Sequence, residues 1–310
     1  MKQRMWAVGV DFGGTNIKCG LVDRRGRVVT SLVLSTARFG RPTTFVVGIH
    51  RAVEQLAASA RLSSARLAGI GIGVPGLVDA QRGVVHMLTN VRGWCDVPLA
   101  GRLRARLHVP VFIDNDANLV TLGEWRWGAG RGAKSLVCLT LGTGVGGGLV
   151  FHGALYRGAS GAAGEIGHTV LDPDGPRCGC GARGCLEAHV GTAAIVRMAR
   201  QAGVAHRGRL TPEWLAWMAR RGDRRARAVW HQVGRLLGRG LAGIVNLLNP
   251  DRVVIGGGVA NAWALFAPSL RRAIRADAME IPGRTVRVVR AQLGDQAGVI
   301  GAAVLVWEER

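Results

Sequence analysis

Residues 8–26 read VGVDFGGTNIKCGLVDRRG, and residues 137–153 read VCLTLGTGVGGGLVFHG. Each is an apolar, β-prone run that breaks at a Gly/Thr turn, resumes as a second β-prone run and ends in another turn. The same order repeated at somewhat under half the chain length points to two lobes of related construction. Residues 27–34 extend the first hairpin into a β-meander. Residues 43–60 carry a helical apolar rhythm through Phe45, Val46, Ile49, Val53, Leu56 and Ala57. Strands are predicted at 68–74, stopped by Pro75–Gly76, and at 109–113, with a helix starting near Ala117. The second half reads as more helical, with segments at 187–202, 211–220 and 224–248, the last carrying a long apolar stripe. A short strand at 252–255 runs into Gly256-Gly257-Gly258. A helix to about Ala276, a strand at 285–289 and a terminal helix from about Gln296 complete the pattern. The expected division is an N-terminal α/β lobe over 1–120, rejoined by the terminal helix at about 296–310, and a C-terminal α/β lobe over 121–295.

The chain has 310 residues, of which 48% are hydrophobic and 20% charged, a globular composition that excludes disordered and fibrous classes. No apolar run reaches membrane-span length, and the short opening run lacks the features of a signal peptide. A cytoplasmic location and no membrane partner are therefore expected. The net charge is +21, from 41 Lys and Arg of which only Lys2, Lys18 and Lys134 are lysine. The arginines are scattered, with one dense stretch at Arg220–Arg227, whereas nucleic-acid binders gather charge on one face. No specific nucleic-acid partner is expected. The charge favours anionic substrates and salt-sensitive adsorption.

Three apolar strands end in glycine turns: Asp11-Phe12-Gly13-Gly14-Thr15, Gly142-Thr143-Gly144 and Gly256-Gly257-Gly258. Successive amides at such turns can cradle an anion. Thr15 and Thr143 can donate to phosphate oxygens, Lys18 can neutralise a transferring phosphate, and Asp11 suits Mg²⁺ or its water shell. The turns match neither the Walker A pattern nor a dinucleotide fingerprint.

Asp114-Asn115-Asp116-Ala117-Asn118 follows a strand and precedes a helix. A carboxylate there can act as general base towards a sugar hydroxyl, or it can cap the helix. The residues alone do not choose between Asp114 and Asp116. Asn90, in the loop Thr89–Trp94, is a further candidate for substrate contact.

His168, Cys178, Cys180 and Cys185 supply one nitrogen and three sulfurs within a Gly/Pro-rich segment, a tetrahedral soft set matched to Zn²⁺. Four protein ligands close the site, so the ion is expected to be structural and to hold Glu165 and Glu187 where they can meet sugar hydroxyls. The second nitrogen of His168 stays available as a donor. Cys19, Cys95 and Cys138 are expected to be buried thiols.

With these pieces assembled, the sequence resembles the ROK family of bacterial sugar kinases, transcriptional repressors and related open reading frames. The motifs are DFGGTNIK at 11–18, GIGVPGLVD at 71–79, TNVRGW at 89–94, DNDAN at 114–118 and LGTGVGGGLV at 141–150. They continue with AGEIGH at 163–168, CGCGARGCLE at 178–187 and LNPDRVVIGGGV at 248–259, so they span nearly the whole chain. The resemblance implies a two-lobed, actin-like (duplicated ribonuclease-H-like) α/β sugar-kinase fold with an interlobe cleft for sugar and ATP. It implies Asp116 as catalytic base and Asn90, Asn115, Asp116, Glu165, His168 and Glu187 as the sugar-contacting set. Asp11, Gly13, Gly14, Thr15, Lys18, Thr143, Gly144, Gly256, Gly257 and Gly258 match the ATP and phosphate positions. His168, Cys178, Cys180 and Cys185 match the structural zinc ligands. ATP, Mg²⁺ and Zn²⁺ are thus the implied cofactors, and a homodimer, with a tetramer as the alternative, is the implied assembly. Since DFGGT begins at residue 11, a preceding helix-turn-helix domain of the repressor type is not expected. Glucose is the first-choice hexose. N-acetylglucosamine, N-acetylmannosamine, fructose and mannose are alternatives, as are polyphosphate as donor and a sugar-sensing regulator without turnover.

Overall fold

The computed structural model describes residues 6–39, 41–62, 66–88, 91, 93–205 and 208–309. They fall into two compact units. The first comprises Met1–Gly132, Leu155–Ala163 and Gln292–Arg310. Its meander is β1 (Trp6–Phe12), β2 (Asn16–Asp23) and β3 (Val28–Ser35). Helix α1 (Pro42–Ser59) crosses over to β4 (Leu67–Val74). Pro42 starts α1, where a missing N–H costs nothing, and the predicted stripe from Phe45 to Leu56 is buried. A small sheet of β5 (Gly76–Asp79), β6 (Val84–Leu88) and β7 (Cys95–Val97) follows, then α2 (Leu99–Leu107), β8 (Val111–Asn115) and α3 (Asp116–Trp127). The main sheet has the order β3-β2-β1-β4-β8. Strand β1 is antiparallel to β2 and parallel to β4, which is parallel to β8. Every residue of the central strand β4 is buried, whereas the edge strand β3 alternates between half-buried and exposed.

The second unit comprises Ala133–Ala154 and Gly164–Ala291. Its strands are β9 (Leu136–Leu141), β10 (Val145–Phe151), β11 (Ala154–Tyr156), β12 (Arg252–Gly256) and β13 (Arg287–Arg290), in the order β11-β10-β9-β12-β13. Strand β10 is antiparallel to β9, and β9, β12 and β13 are parallel. The strand order of the first sheet is thus repeated, as are the senses of its four strands β2, β1, β4 and β8 in β10, β9, β12 and β13, and the two quoted segments are the equivalent hairpins. Helices α4 (Leu186–Val190), α5 (Thr192–Gln201), α6 (Pro212–Arg220), α7 (Arg224–Leu248), α8 (Trp263–Asp277) and α9 (Glu280–Thr285) belong to this unit. Trp230 of α7 stacks on Phe266 of α8, with centroids 6.0 Å apart, in the centre of its core.

Four details differ from the sequence-based expectation. The segment 187–202 is two helices, because Gly191 is extended (φ −68°, ψ 165°) and serves as the end of α4 and the start of α5. Helices α2 and α9 and the small three-stranded sheet are additional, being short elements with weak periodicity. Cys95 is exposed rather than buried. Asp96 takes a left-handed φ of 48°, which breaks the alternation of β7 and turns Cys95 outward while Val97 stays buried. Finally, the first unit runs to Gly132 instead of 120 and also takes in Leu155–Ala163. A cut at 120 would divide α3, which is one continuous helix.

The C-terminal helix α10 (Ala297–Glu308) belongs to the first unit and is buried from Ala297 to Val306. It lies directly on β1 and β4. A Cβ on Gly9 would sit 1.9 Å from the carbonyl oxygen of Val299, and one on Gly71 would sit 1.8 Å from that of Ala302. Only glycine allows this approach. No described helix is long and apolar enough to cross a membrane. A Gly71→Ala change is expected to displace α10 and cost about 1–3 kcal/mol, as overpacked cores do. Gly101→Ala, on open space in α2, is expected to be neutral or to stabilise by about 0.5 kcal/mol. Paired urea melts check both.

Candidate active site

In the first unit the parallel strands β1, β4 and β8 end at one edge. Asp11 is in register with Gly73, and Gly73 with Asp114. Ligand sites of such sheets form at the carboxyl ends of strands, which here carry Asp11 and the segment Asp114–Asp116.

The two aspartates after β8 have different surroundings. Asp114 is 2% exposed and receives the Arg157 guanidinium Nε at 2.8 Å, the Asn118 amide Nδ2 at 2.8 Å and the backbone N–H of Asn115 at 2.7 Å. Arg157 also reaches Glu309 just beyond α10, at 3.1 Å. Burial pulls the Arg157 pKa down, but the two carboxylates outweigh it and the net shift is upward. Asp114 is therefore committed to a buried ion pair. Asp116 is half-buried at the first turn of α3, its Oδ1 accepting the Ala117 N–H at 2.9 Å. Asn115 caps that helix, its Oδ1 accepting the Ala117 N–H, while its Nδ2 donates to the Gly76 carbonyl at 3.2 Å. Both ends of the Asn115 amide thus have protein partners.

Asp11 is half-buried, and desolvation of its carboxylate raises its pKa above the ordinary value, with Lys18 opposing the shift and Asp295 adding to it. Lys18 pairs with Asp11 across the β1/β2 ladder, and its Nζ lies 3.7 Å from Asp295. A Cβ at Gly298, at the start of α10, would meet the Asp11 carboxylate at 2.6 Å. The Gly13–Thr15 turn is closed by the Gly13 N–H donating to the Asn16 carbonyl at 3.0 Å. Thr36 anchors the turn, its hydroxyl donating to the Gly13 carbonyl at 2.8 Å and its N–H to that of Thr15 at 3.0 Å. Gly14 and Thr15 are exposed.

In the second unit, both remaining glycine turns sit at the ends of the neighbouring parallel strands β9 and β12, where Gly256 is in register with Thr140. Thr192 holds the first of these turns, its hydroxyl donating to the Gly142 carbonyl at 2.8 Å. Gly257 has φ +81°, and a Cβ there would strike the Leu141 backbone. Thr143 and Gly258 are exposed.

His168, Cys178, Cys180 and Cys185 present ligand atoms that all lie within 4.8 Å of one another. The Cys178 sulfur is 3.6 Å from His168 Nδ1, and Cys180 and Cys185 sulfurs are 3.7 Å apart. These separations fit the edges of a tetrahedron around an ion with metal–sulfur bonds of about 2.3 Å. Burial pushes the Cys178 thiol up to about 12 and raises Cys185, while the Ala182 backbone lowers Cys180. A cation would offset the cost of ionising the buried thiols. With Nδ1 facing the sulfurs, His168 Nε2 lies 3.9 Å from the exposed Glu165 carboxylate. Glu187, two residues after Cys185, accepts the Val145 N–H at 2.9 Å and so links the cluster to the Gly142–Gly144 turn.

Asn90 lies outside the described residues. The sequence reading did not single out Arg157, Thr36, Thr192 or Asp295. Each acts through a partner at least 21 residues away in sequence, so no local pattern marks it.

The family model described as the ROK family matches residues 7–309. The glucokinase of Thermotoga maritima is 37% identical over 97% of this chain and 97% of its own length. The crystal structure of a ROK family glucokinase from Streptomyces griseus in complex with glucose and AMPPNP matches with a TM-score of 0.81 and 33% identity. That match covers 98% of this chain and 99% of that one. The α/β arrangement of mixed sheets and flanking helices is shared with it. The xylose repressor of Bacillus subtilis is 29% identical over 98% of this chain and 78% of its own length.

Arg157→Met leaves the Asp114 charge buried without its cationic partner and is expected to cost about 3 kcal/mol. A denaturant melt of the variant against the parent measures that loss.

Proposed function

The chain belongs to the ROK family of sugar kinases and regulators, and on that premise we propose that it transfers a phosphoryl group from ATP to a hexose, converting glucose to glucose 6-phosphate. The carrying observation is the contrast after β8: Asp114 is held by Arg157 and Asn118, while Asp116 stands half-buried at the first turn of α3. In this reading Asp116 accepts the proton of the sugar C6 hydroxyl as it attacks phosphorus. Asn90, Asn115, Glu165, His168 and Glu187 orient the remaining hydroxyls. The amides around Gly13, Gly14 and Thr15, with Lys18, meet the transferring phosphate, and Thr143, Gly144 and Gly256–Gly258 meet the rest of the nucleotide. Mg²⁺, when bound, supplies charge neutralisation on the phosphates. Asp11 fits it as a hard oxygen donor whose burial cost a cation relieves.

His168, Cys178, Cys180 and Cys185 would hold Zn²⁺ as a closed structural site that fixes the ring of His168 and the start of α4, and with it Glu187. Elemental analysis of purified protein is expected to give about one zinc per chain, on the four-ligand count. Metal-free protein that is fully reduced and keeps the same melting temperature would count against this. The protein is proposed to work in the cytoplasm as a homodimer, which light scattering after gel filtration tests.

The deciding experiment is a coupled phosphotransfer assay with ATP, Mg²⁺ and a panel of glucose, mannose, fructose, N-acetylglucosamine and N-acetylmannosamine, with polyphosphate as a second donor. Glucose with ATP is the expected best pair. Sugar binding without turnover for any pair would favour the regulator reading, which the repressor relative keeps in view. Asp116→Asn is expected to lower kcat by about 10²–10⁴-fold, the usual share of a general base, while calorimetry shows glucose binding retained.

A further inference from the structure

Between β3 and α1 the first unit holds a cavity of about 630 Å³ that none of the residues assigned above lines. Its size is that of small-molecule pockets, which run from about 300 to 1,000 Å³. Phe39 is buried and Leu34 and Val47 are half-buried, giving an apolar floor, while Arg38 and Arg51 are exposed at the rim. No acidic residue lines the cavity. Neither guanidinium has a hydrogen-bonding or ionic partner among the described residues. Guanidiniums are planar multiple donors suited to carboxylate, phosphate or sulfonate groups. Two of them over an apolar floor select an anion that carries an apolar body.

The floor is also connected to the first glycine turn. Phe39 ends the 3-10 turn Thr36–Phe39, and Thr36 at its other end holds the Gly13 and Thr15 carbonyls. A second route is aromatic. The Phe39 ring lies edge-on to Phe45 at 6.1 Å, and Phe45 stacks at 4.8 Å on Phe12, the neighbour of Asp11. The Phe39 ring occupies the place a Cβ on Gly48 would take, so it is seated closely on α1. These contacts give a ligand that shifts Phe39 a direct packed route to the turn.

We propose that this cavity binds a small anion with an apolar body and that its occupancy alters the Gly13–Thr15 turn through Phe39 and Thr36. The turn's service to ATP rests on the kinase reading above; the site and its coupling do not.

The test uses 8-anilinonaphthalene-1-sulfonate, a sulfonate with an aromatic body, titrated by fluorescence into the full chain without ATP or sugar. Saturable binding is expected. The double variant Arg38→Ser/Arg51→Ser should weaken it by about tenfold or more, as lost charge-assisted hydrogen bonds do. Val47→Trp, which fills the cavity and keeps both arginines, should also abolish it. Hydrogen exchange read by mass spectrometry should change over residues 13–16 when the probe binds. That response should weaken in Thr36→Val, which loses the hydroxyl bond to the Gly13 carbonyl and keeps the shape, the backbone bond to Thr15 and the aromatic route. Equal probe binding by the parent and both cavity variants overturns the site. Cavity-dependent binding with unchanged exchange over 13–16 overturns the coupling. Neither readout uses phosphotransfer, so failure of the kinase reading would leave both intact and be seen separately in the sugar panel.

Discussion

Helix α10 lies backbone to backbone on β1 and β4, and much of the candidate site hangs from that contact. The helix is apolar on every face and buries nearly its whole length, so it must sit inside the unit and not on its surface. Glycines at 9 and 71 let its backbone come down onto the sheet. Its first turn then lies beside Asp11, its side packs against α3, and the residue just beyond its end, Glu309, takes one arm of Arg157. The other arm of Arg157 closes on Asp114. One packing constraint thus orders the acid at the end of β1, the junction after β8 and the loop that carries Arg157.

The second unit solves a similar problem without a comparable helix. The segment around residues 170–185 is rich in Gly, Pro and Asp and has little apolar surface to bury. Its order comes from backbone hydrogen bonds, such as those from the Leu171 and Asp172 N–H groups to the Gly184 carbonyl, and from four soft donors drawn together. Because Cys185 immediately precedes α4, the position of this cluster also sets where Glu187 meets the Val145 N–H. Repetition of one sheet topology explains why both units present glycine turns at the carboxyl ends of their central strands. Each parallel strand delivers its turn to the same edge, where backbone amides are not consumed by the ladder.

The charge of +21 has no single face in the sequence. In the structure many arginines are spent locally. Arg104 donates to the Val111 carbonyl, Arg227 to that of Ala219, and Arg271 donates to Val288 while lying over the Trp263 ring. Such side chains act as braces for neighbouring backbone. Arg38 and Arg51 are not spent in this way, since they face a cavity and have no such partner among the described residues.

The sequence by itself determined the main strands, the long helices, the duplicated hairpin and the four-donor cluster. These depend on local periodicity, on turn residues and on ligand types within one short segment, all of which are written along the chain. Only tertiary structure decided that Asp114 is taken up in a buried ion pair, because that turns on Arg157, 43 residues away. It also decided that Asn115 serves as a helix cap with both amide ends engaged, that Cys95 faces outward through the left-handed turn at Asp96, and that α3 belongs wholly with the first unit. Each of these is set by a partner or a backbone angle that residue type alone leaves open. Side-chain chemistry shows what a residue can bind, and only the fold shows what already occupies it.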